Sequence, residues 1–216
     1  MMNYKNLAVQ NYKKFCLVEG NEYIASEFAL ETILKIIKIF NVKTILELGL
    51  GIGSIADTVL KYSKKENKKI SYVGTEKNDF CLDVLKTNVV DYEQIELYSE
   101  LIDIENKKFD LVIIDGYDER LEAIVGFCKK NAIIYIEGDR KGQTETIMRI
   151  FPKSKHVNII TLNKNRSYSH GYNITEHYVG GGQLIFIDPT FTMKLFWFQQ
   201  KIATFIKNKI RIFHLK

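Results

Sequence analysis

Proline and cysteine are both scarce in this chain. Its 216 residues include only two prolines, Pro152 and Pro189, so Pro-rich linkers are absent. The three cysteines, Cys16, Cys81 and Cys128, are odd in number and widely spaced, which fits neither a disulfide framework nor a CxxC metal motif. We therefore expect reduced thiols in a cytoplasmic protein.

Long uninterrupted apolar runs are also missing. No stretch approaches the length of a membrane span, and the amino terminus lacks the continuous apolar core of a secretory signal. The formal net charge is only +5, from 31 basic and 26 acidic residues, which does not argue for nucleic-acid binding. Because 46% of the residues are hydrophobic, the chain suits one soluble globular domain with a sizeable core.

Residues 44–56, TILELGLGIGSIA, change from an apolar run to three alternating glycines and back. The first residues are β-branched or apolar and suit a strand that is buried on both faces. Gly49, Gly51 and Gly53 then permit a tight turn, close backbone approach to a ligand and close packing of the next helix. That helix would begin near Ser54 and direct unpaired N–H groups at the end of the strand, which predicts a nucleotide-like ligand there.

Acidic residues occur at the ends of three predicted strands. Glu47 lies two residues before the first glycine, where a carboxylate would repel a pyrophosphate and attract an ammonium group. A second strand at residues 70–76 ends in Glu76, and a central buried strand at residues 109–116 reaches Asp115 near its end. Because ligands bind at the carboxyl ends of strands in a doubly wound sheet, we expect these acids to converge on one site.

The stretch ELGLGIG resembles motif I, E/DxGxGxG, of the class I S-adenosylmethionine-dependent methyltransferases. FDLVIIDGYDE resembles its counterpart in the small-molecule O-methyltransferases of that class. The resemblance implies an α/β fold with a doubly wound, mostly parallel seven-stranded sheet, an antiparallel last strand and helices on both faces. It covers residues 44–188, which leaves residues 1–43 as an N-terminal helical cover and residues 189–216 as a basic amphipathic C-terminal helix.

The same resemblance implies S-adenosylmethionine as the cofactor. Glu47 would hold its methionine part, the three glycines would form the floor, and Glu76 would accept hydrogen bonds from both ribose hydroxyls. The alternative for Glu76 is a surface residue near the start of the next helix, and Ser99, expected near the adenine, is equally well explained as a turn residue. The expected cofactor-binding residues are Glu47, Gly49, Gly51, Gly53, Glu76, Ser99 and Asp115.

Three residues are candidates to orient or deprotonate an acceptor hydroxyl: Asp115, Asp139 and His170. Metal-dependent members of the resembled group bind a divalent cation through an Asp after the fourth strand and an Asp-Asn pair after the fifth. Here the fifth predicted strand ends in EGDR at residues 137–140, so we expect no metal, and Arg140 indicates an anionic group on the substrate. His170 belongs to a long polar segment that is either a lid or a solvated connection.

The predicted function is methyl transfer to a small-molecule acceptor, as O-methylation of a hydroxyl. One alternative is an NAD-dependent oxidoreductase on a related sheet, which Glu47 and the missing GxGxxG spacing disfavour. Another is a non-catalytic binding or scaffold subunit. The C-terminal helix, which is rich in lysine and contains Trp197, fits three roles equally: peripheral contact with an anionic membrane, a homodimer contact, or packing on its own domain.

Overall fold

The computed structural model describes residues 3–117, 120–169 and 177–213. The helices are α1 (Tyr4–Phe15), α2 (Glu27–Phe40), α3 (Ser54–Lys65), α4 (Asp79–Asn88), α5 (Lys141–Ile150) and α6 (Phe191–Phe213). The strands are β1 (Thr44–Leu48), β2 (Ser71–Thr75), β3 (Ile95–Tyr98), β4 (Phe109–Ile114), β5 (Cys128–Glu137), β6 (Lys155–Ile160) and β7 (Gly181–Phe186).

One seven-stranded sheet has the strand order β3-β2-β1-β4-β5-β7-β6. The first five of these strands are parallel, whereas β7 is antiparallel to both of its neighbours. The chain proceeds outward in one direction from β1 and in the other from β4, and such a switch point is where open α/β sheets bind ligands. The predicted doubly wound sheet with an antiparallel last strand is therefore confirmed.

Side chains of the central strands alternate between two apolar layers. Ile45 and Ile113 pack in a core shared with α1, α2 and α3, whereas Leu46 and Val112 pack in a second core with α5. The predicted helices on both faces are thus confirmed. The first core also includes side chains from α6, so all three segments of the predicted domain division contribute to it.

The segment that connects β4 to β5 contains a 3₁₀ helix, although crossovers between parallel strands usually contain an α-helix. This 3₁₀ helix spans Leu121–Phe127, and β5 begins directly after it at Cys128. Gly126 weakens a continuous helix at this point because glycine loses the most backbone entropy on ordering. Cys128 then pairs with Phe109 of β4, so hydrogen bonds of the sheet replace those of a last helical turn.

Helix α6 lies along β6, which is an edge strand of the sheet. The backbone carbonyls along the open side of an edge strand need partners outside the sheet. Four side chains of α6 donate hydrogen bonds to carbonyls of β6 and of the residue that follows it. The pairs are Trp197 to His156 (2.7 Å), Thr204 to Asn158 (2.8 Å), Lys207 to Ile160 (2.7 Å) and Arg211 to Thr161 (3.0 Å).

This arrangement predicts a measurable loss of stability in Trp197→Phe. Phenylalanine keeps the aromatic packing but removes the N–H group that bonds the His156 carbonyl. We expect the free energy of unfolding in urea to fall by about 1 kcal/mol. Phe198→Leu is the control, because Phe198 is exposed on the same helix, and it should change stability by less than about 0.5 kcal/mol. Equal stability of the two variants would contradict the assigned role of Trp197.

Candidate active site

A cavity of about 730 Å³ opens at the carboxyl ends of the parallel strands. Its size is that of a typical small-molecule site. The walls come from the glycine loop after β1, the ends of β2, β4 and β5, the turn after β3, and the segment between α1 and α2. The lining residues include Glu22, Tyr23, Ile24, Gly49, Gly51, Glu76, Ser99, Asp115, Tyr117, Glu137 and Arg140.

The glycine loop is packed against backbone on two sides. A Cβ atom on Gly49, whose φ is +87°, would lie 2.6 Å from the backbone of Gly116. A Cβ atom on Gly51, whose φ is +54°, would lie 2.3 Å from the carbonyl oxygen of Tyr23. Both positions need glycine for conformation and for space, and both line the cavity.

Gly53 does not line the cavity, although the sequence placed it in the floor. Its φ of +92° is left-handed, and an added Cβ atom would lie 2.4 Å from Val89 at the end of α4. The third glycine therefore allows α3 and α4 to pack closely, and its expected contact with a ligand stays a prediction.

Glu47 lies beneath the cavity and is not among its lining residues. The side chain is completely buried, with Oε2 accepting a hydrogen bond from the Tyr72 hydroxyl and Oε1 without a hydrogen-bond partner among the described residues. Burial raises the pKa of Glu47 well above its usual range; the Tyr72 bond opposes this shift, and Asp115 and Glu76 add to it. Position 47 lies on the face of the strand that packs against the covering helices, and its expected contact with an ammonium group stays a prediction.

Glu76 lies in the cavity wall, as the sequence predicted. Its Oε2 accepts a hydrogen bond from the Gly51 amide at 2.7 Å, and its Oε1 accepts from the Lys77 and Asn78 amides at 2.9 and 2.8 Å. These bonds fix the carboxylate between the end of β2 and the glycine loop. A carboxylate offers about four lone-pair directions, and three of them are occupied here, so one remains for a hydroxyl group of a ligand.

Asp115 follows β4 and forms an ion pair with Arg140, with 3.2 Å between Oδ1 and Nη2. Arg140 also donates from Nη1 to the Gly116 carbonyl at 2.8 Å, and Gln143 donates to the same oxygen at 2.9 Å. Arg140 therefore stabilises the turn after β4, in addition to lining the cavity. This structural role was not anticipated from the sequence, which assigned Arg140 to a substrate anion.

The pKa of Asp115 is close to neutrality. Burial raises it from 3.8 to about 7, with a further upward contribution from Glu137 and a downward one from Arg140. Glu137, at the end of β5, accepts hydrogen bonds at Oε1 from the hydroxyl and amide of Ser26, at 2.8 and 3.4 Å. A carboxyl group that titrates near pH 7 can both accept and return a proton during a reaction.

Glu137 and the wall residues Glu22, Tyr23 and Ile24 were missed as site residues by the sequence analysis. Glu137 is an acidic residue at the end of a predicted buried strand, as Glu76 and Asp115 are, so the same sequence pattern could have identified it. For residues 22–24 the sequence gives only a weak indication of a site, because a turn at Gly20 followed by an aromatic residue is common.

One other expected catalytic residue, Asp139, does not line the cavity. Asp139 is exposed and lies outside the cavity lining, because the chain turns at Gly138, whose φ is +74°. The structure therefore does not place Asp139 beside the cavity, and its expected catalytic role stays a prediction. His170 lies outside the described residues.

The cavity wall carries more negative than positive side chains. Five carboxylates face three basic side chains among the lining residues, which favours a cationic ligand. Within the described ranges, no group of three or more His, Cys, Asp and Glu residues is arranged to hold a metal ion. The acidic members of the wall are Glu22, Glu76, Glu100, Asp115 and Glu137, and the basic ones are Lys77, Arg120 and Arg140.

Known structures resemble this architecture across most of their length. An O-methyltransferase from Bacillus cereus, solved with S-adenosylhomocysteine, is 12% identical with a TM-score of 0.55; the match covers 87% of this chain and 91% of that one. The O-methyltransferase TomG from Streptomyces achromogenes, solved with S-adenosylmethionine, is also 12% identical, with a TM-score of 0.53 and coverage of 87% and 90%. This chain has the class I methyltransferase fold.

The fold is shared with enzymes that act on different acceptors. A precorrin-6y C5,15-methyltransferase from Geobacter metallireducens is 15% identical with a TM-score of 0.54, and the match covers 76% of this chain and 88% of that one. No protein-family model and no curated protein matches the sequence. At these identities the likeness establishes the methyltransferase fold, and the function is argued from the site.

The contact between Gly51 and Tyr23 predicts the effect of Gly51→Ala. The new methyl group would meet the Tyr23 carbonyl at 2.3 Å, so the segment at residues 20–24 should move away from the glycine loop. We expect faster amide hydrogen exchange in that segment and unchanged exchange rates in the sheet. Gly142→Ala is the control, because an added Cβ atom meets nothing within 4 Å there. Unaltered exchange at residues 20–24 would show that the contact does not hold the segment.

The raised pKa of Asp115 predicts a pH dependence of stability. Because the folded protein holds this proton up to about pH 7, whereas the carboxyl group ordinarily loses it near 3.8, ionisation destabilises the fold as pH rises between these values. Asp115→Asn should therefore lose less unfolding free energy than the parent between about pH 5 and about pH 8, measured in urea. Asp139→Asn controls for the loss of one negative charge at an exposed position. The same pH dependence in Asp115→Asn and the parent would contradict the assignment.

Proposed function

We propose that this chain is an S-adenosylmethionine-dependent methyltransferase. The observation that carries the proposal is an acidic cavity at the switch point of the sheet, in which a fixed carboxylate, Glu76, borders a glycine loop. The cofactor carries an ammonium and a sulfonium group with no phosphate, which matches the excess of carboxylates in the wall. When bound, it supplies a methyl group that its positive charge has already activated for displacement.

The residues have distinct roles in this proposal. Gly49 and Gly51 form the floor, and Glu76 binds a ribose hydroxyl through its remaining lone pair. Ser99, which lines the cavity just past β3, lies where the adenine is expected. Asp115 lies at the boundary between the cofactor and the acceptor.

The arrangement of the loop amides supports this cofactor over a dinucleotide. Dinucleotide sites bind pyrophosphate with the free backbone N–H groups of the glycine loop. Here the amides of Gly49 and Leu50 donate to the Thr75 carbonyl at 3.1 and 3.0 Å, and the amide of Gly51 donates to Glu76 at 2.7 Å. A pyrophosphate would meet a carboxylate where it needs a donor, which disfavours the oxidoreductase alternative.

We further propose a small-molecule acceptor that carries a hydroxyl and an anionic group. A second cavity, of about 630 Å³, adjoins the first and shares Tyr117 and Arg140 with it. Among the described residues of its lining, Arg140 and Lys141 are basic and Glu122 is acidic. Glu122 forms an ion pair with Arg149 at 3.2 Å, and Lys141 forms one with Glu145 at 3.8 Å. The charge of this second cavity therefore suits an anionic substrate group, in contrast to the acidic first cavity.

Methyl transfer is an in-line displacement, so the protein contributes mainly by positioning the two reactants and excluding water. Asp115 is the group we propose to take the proton from the acceptor hydroxyl, because it lines the cavity and its pKa is about 7. Its ion pair with Arg140 orients the carboxylate from the side of the second cavity.

Calorimetry of Glu76→Gln tests the proposed cofactor. An amide keeps one acceptor oxygen but loses the charge and the second acceptor oxygen, so we expect S-adenosylhomocysteine to bind roughly tenfold to a hundredfold more weakly than to the parent. Glu145→Gln, an exposed substitution on α5 outside the cavity lining, is the matched control and should bind like the parent. Absence of heat with S-adenosylmethionine or its product would refute the proposal, and heat with NADH would favour the oxidoreductase.

A further inference from the structure

Helix α6 has an apolar face that points away from the sheet. Met193 and Phe196 are buried toward the protein, and Trp197 bonds β6 from the same side. On the opposite side, apolar residues that are between 45% and 78% exposed recur every three or four positions from Phe191 to Ile206, and two more lie at the end of the helix. This outer face consists of Phe191, Leu195, Phe198, Ile202, Phe205, Ile206, Ile212 and Phe213.

The charge of α6 is of one sign. The helix contains no acidic residue between Phe191 and Phe213. Lys194, Lys201 and Lys209 are exposed, whereas Lys207 and Arg211 are directed to carbonyls at the sheet edge. An extended apolar surface with exposed lysines therefore accompanies the cavity without forming part of it.

The exposed lysines adjoin aromatic rings. The ammonium group of Lys201 lies 4.9 Å from the centre of the Trp197 ring, and that of Lys209 lies 5.5 Å from the centre of the Phe205 ring. Lysine stems that lie along apolar surface keep their charged ends in water, which is how basic residues behave at a membrane interface.

The positive charge of α6 distinguishes between two partners for the outer face, a second copy of the chain and a lipid surface. A two-fold contact through α6 would place two basic helices together with no acid on either one to pair with their lysines. An anionic bilayer supplies the opposite charge and also accepts the phenylalanine and isoleucine side chains. We propose that the outer face of α6 binds the surface of a bilayer that contains anionic lipids.

The helix would lie in the plane of the bilayer. Its opposite face is held along β6 by four side-chain hydrogen bonds, so the whole length of the outer face is presented together. None of the helices in the described part of the chain is long and apolar enough to cross a membrane. The proposed methyl transfer does not require this contact with a bilayer surface.

Vesicle flotation of the full chain tests the proposal. We expect it to float with vesicles of phosphatidylcholine and phosphatidylglycerol, and to stay unbound with phosphatidylcholine alone. Phe198→Ser with Phe205→Ser should weaken binding at least tenfold. Lys201→Gln with Lys209→Gln should weaken it roughly thirtyfold, since each lysine near an anionic surface contributes about a fivefold gain. Added salt should weaken binding by the parent chain.

Two double variants serve as matched controls, and both should bind like the parent. Leu17→Ser with Val90→Ser removes exposed apolar side chains elsewhere, and Lys86→Gln with Lys130→Gln removes exposed charges elsewhere. Thermal unfolding by circular dichroism checks that every variant is folded.

Three results would overturn the proposal. They are no flotation of the parent chain, undiminished flotation of the Phe198→Ser, Phe205→Ser variant, and light scattering that shows a dimer which this variant dissociates. The last result would assign the outer face to a second copy of the chain. None of these measurements depends on cofactor binding, so the methyltransferase proposal is tested separately.

Discussion

The site depends on the contact between two backbone turns, one after β1 and one after β4. The Leu48 carbonyl accepts hydrogen bonds from the amides of both Asp115 and Gly116, at 3.0 and 2.7 Å. Gly49 then lies so close to Gly116 that neither position leaves space for a side chain toward the other. This contact fixes where the cavity floor lies and where the Asp115 carboxylate projects from it.

Carboxylates accumulate around this contact because each parallel strand ends at the same edge of the sheet. Crowding them in a partly buried space raises the free energy of their ionised forms, as the pKa of Asp115 shows. Arg140 offsets part of this cost for Asp115, and backbone amides stabilise Glu76. The negative charge of the cavity wall is therefore only partly neutralised by basic side chains and amides of the protein, which favours a positively charged ligand.

Much of the fold, and the location of the site, followed from local patterns. Buried strands and their order of appearance were visible as apolar runs, and acids at strand ends located Glu76 and Asp115 in the cavity wall. The position of Glu47 in the sequence shows only that it precedes the turn, whereas the face of the strand on which it lies brings its carboxyl group to the Tyr72 hydroxyl. The wall at residues 22–24 depends on a contact with Gly51 across the sequence, which no local pattern encodes.

The hydrogen bonds between α6 and β6 have a consequence for folding of the chain. An open strand edge is a template for pairing with another chain, and β6 is protected by side chains from a helix that follows the whole sheet in sequence. The edge is therefore unprotected until α6 has been synthesised and has docked. During that interval, aggregation by strand addition competes with completion of the fold. Substitutions that weaken the docking of α6 should therefore lower the yield of native protein before they alter its site.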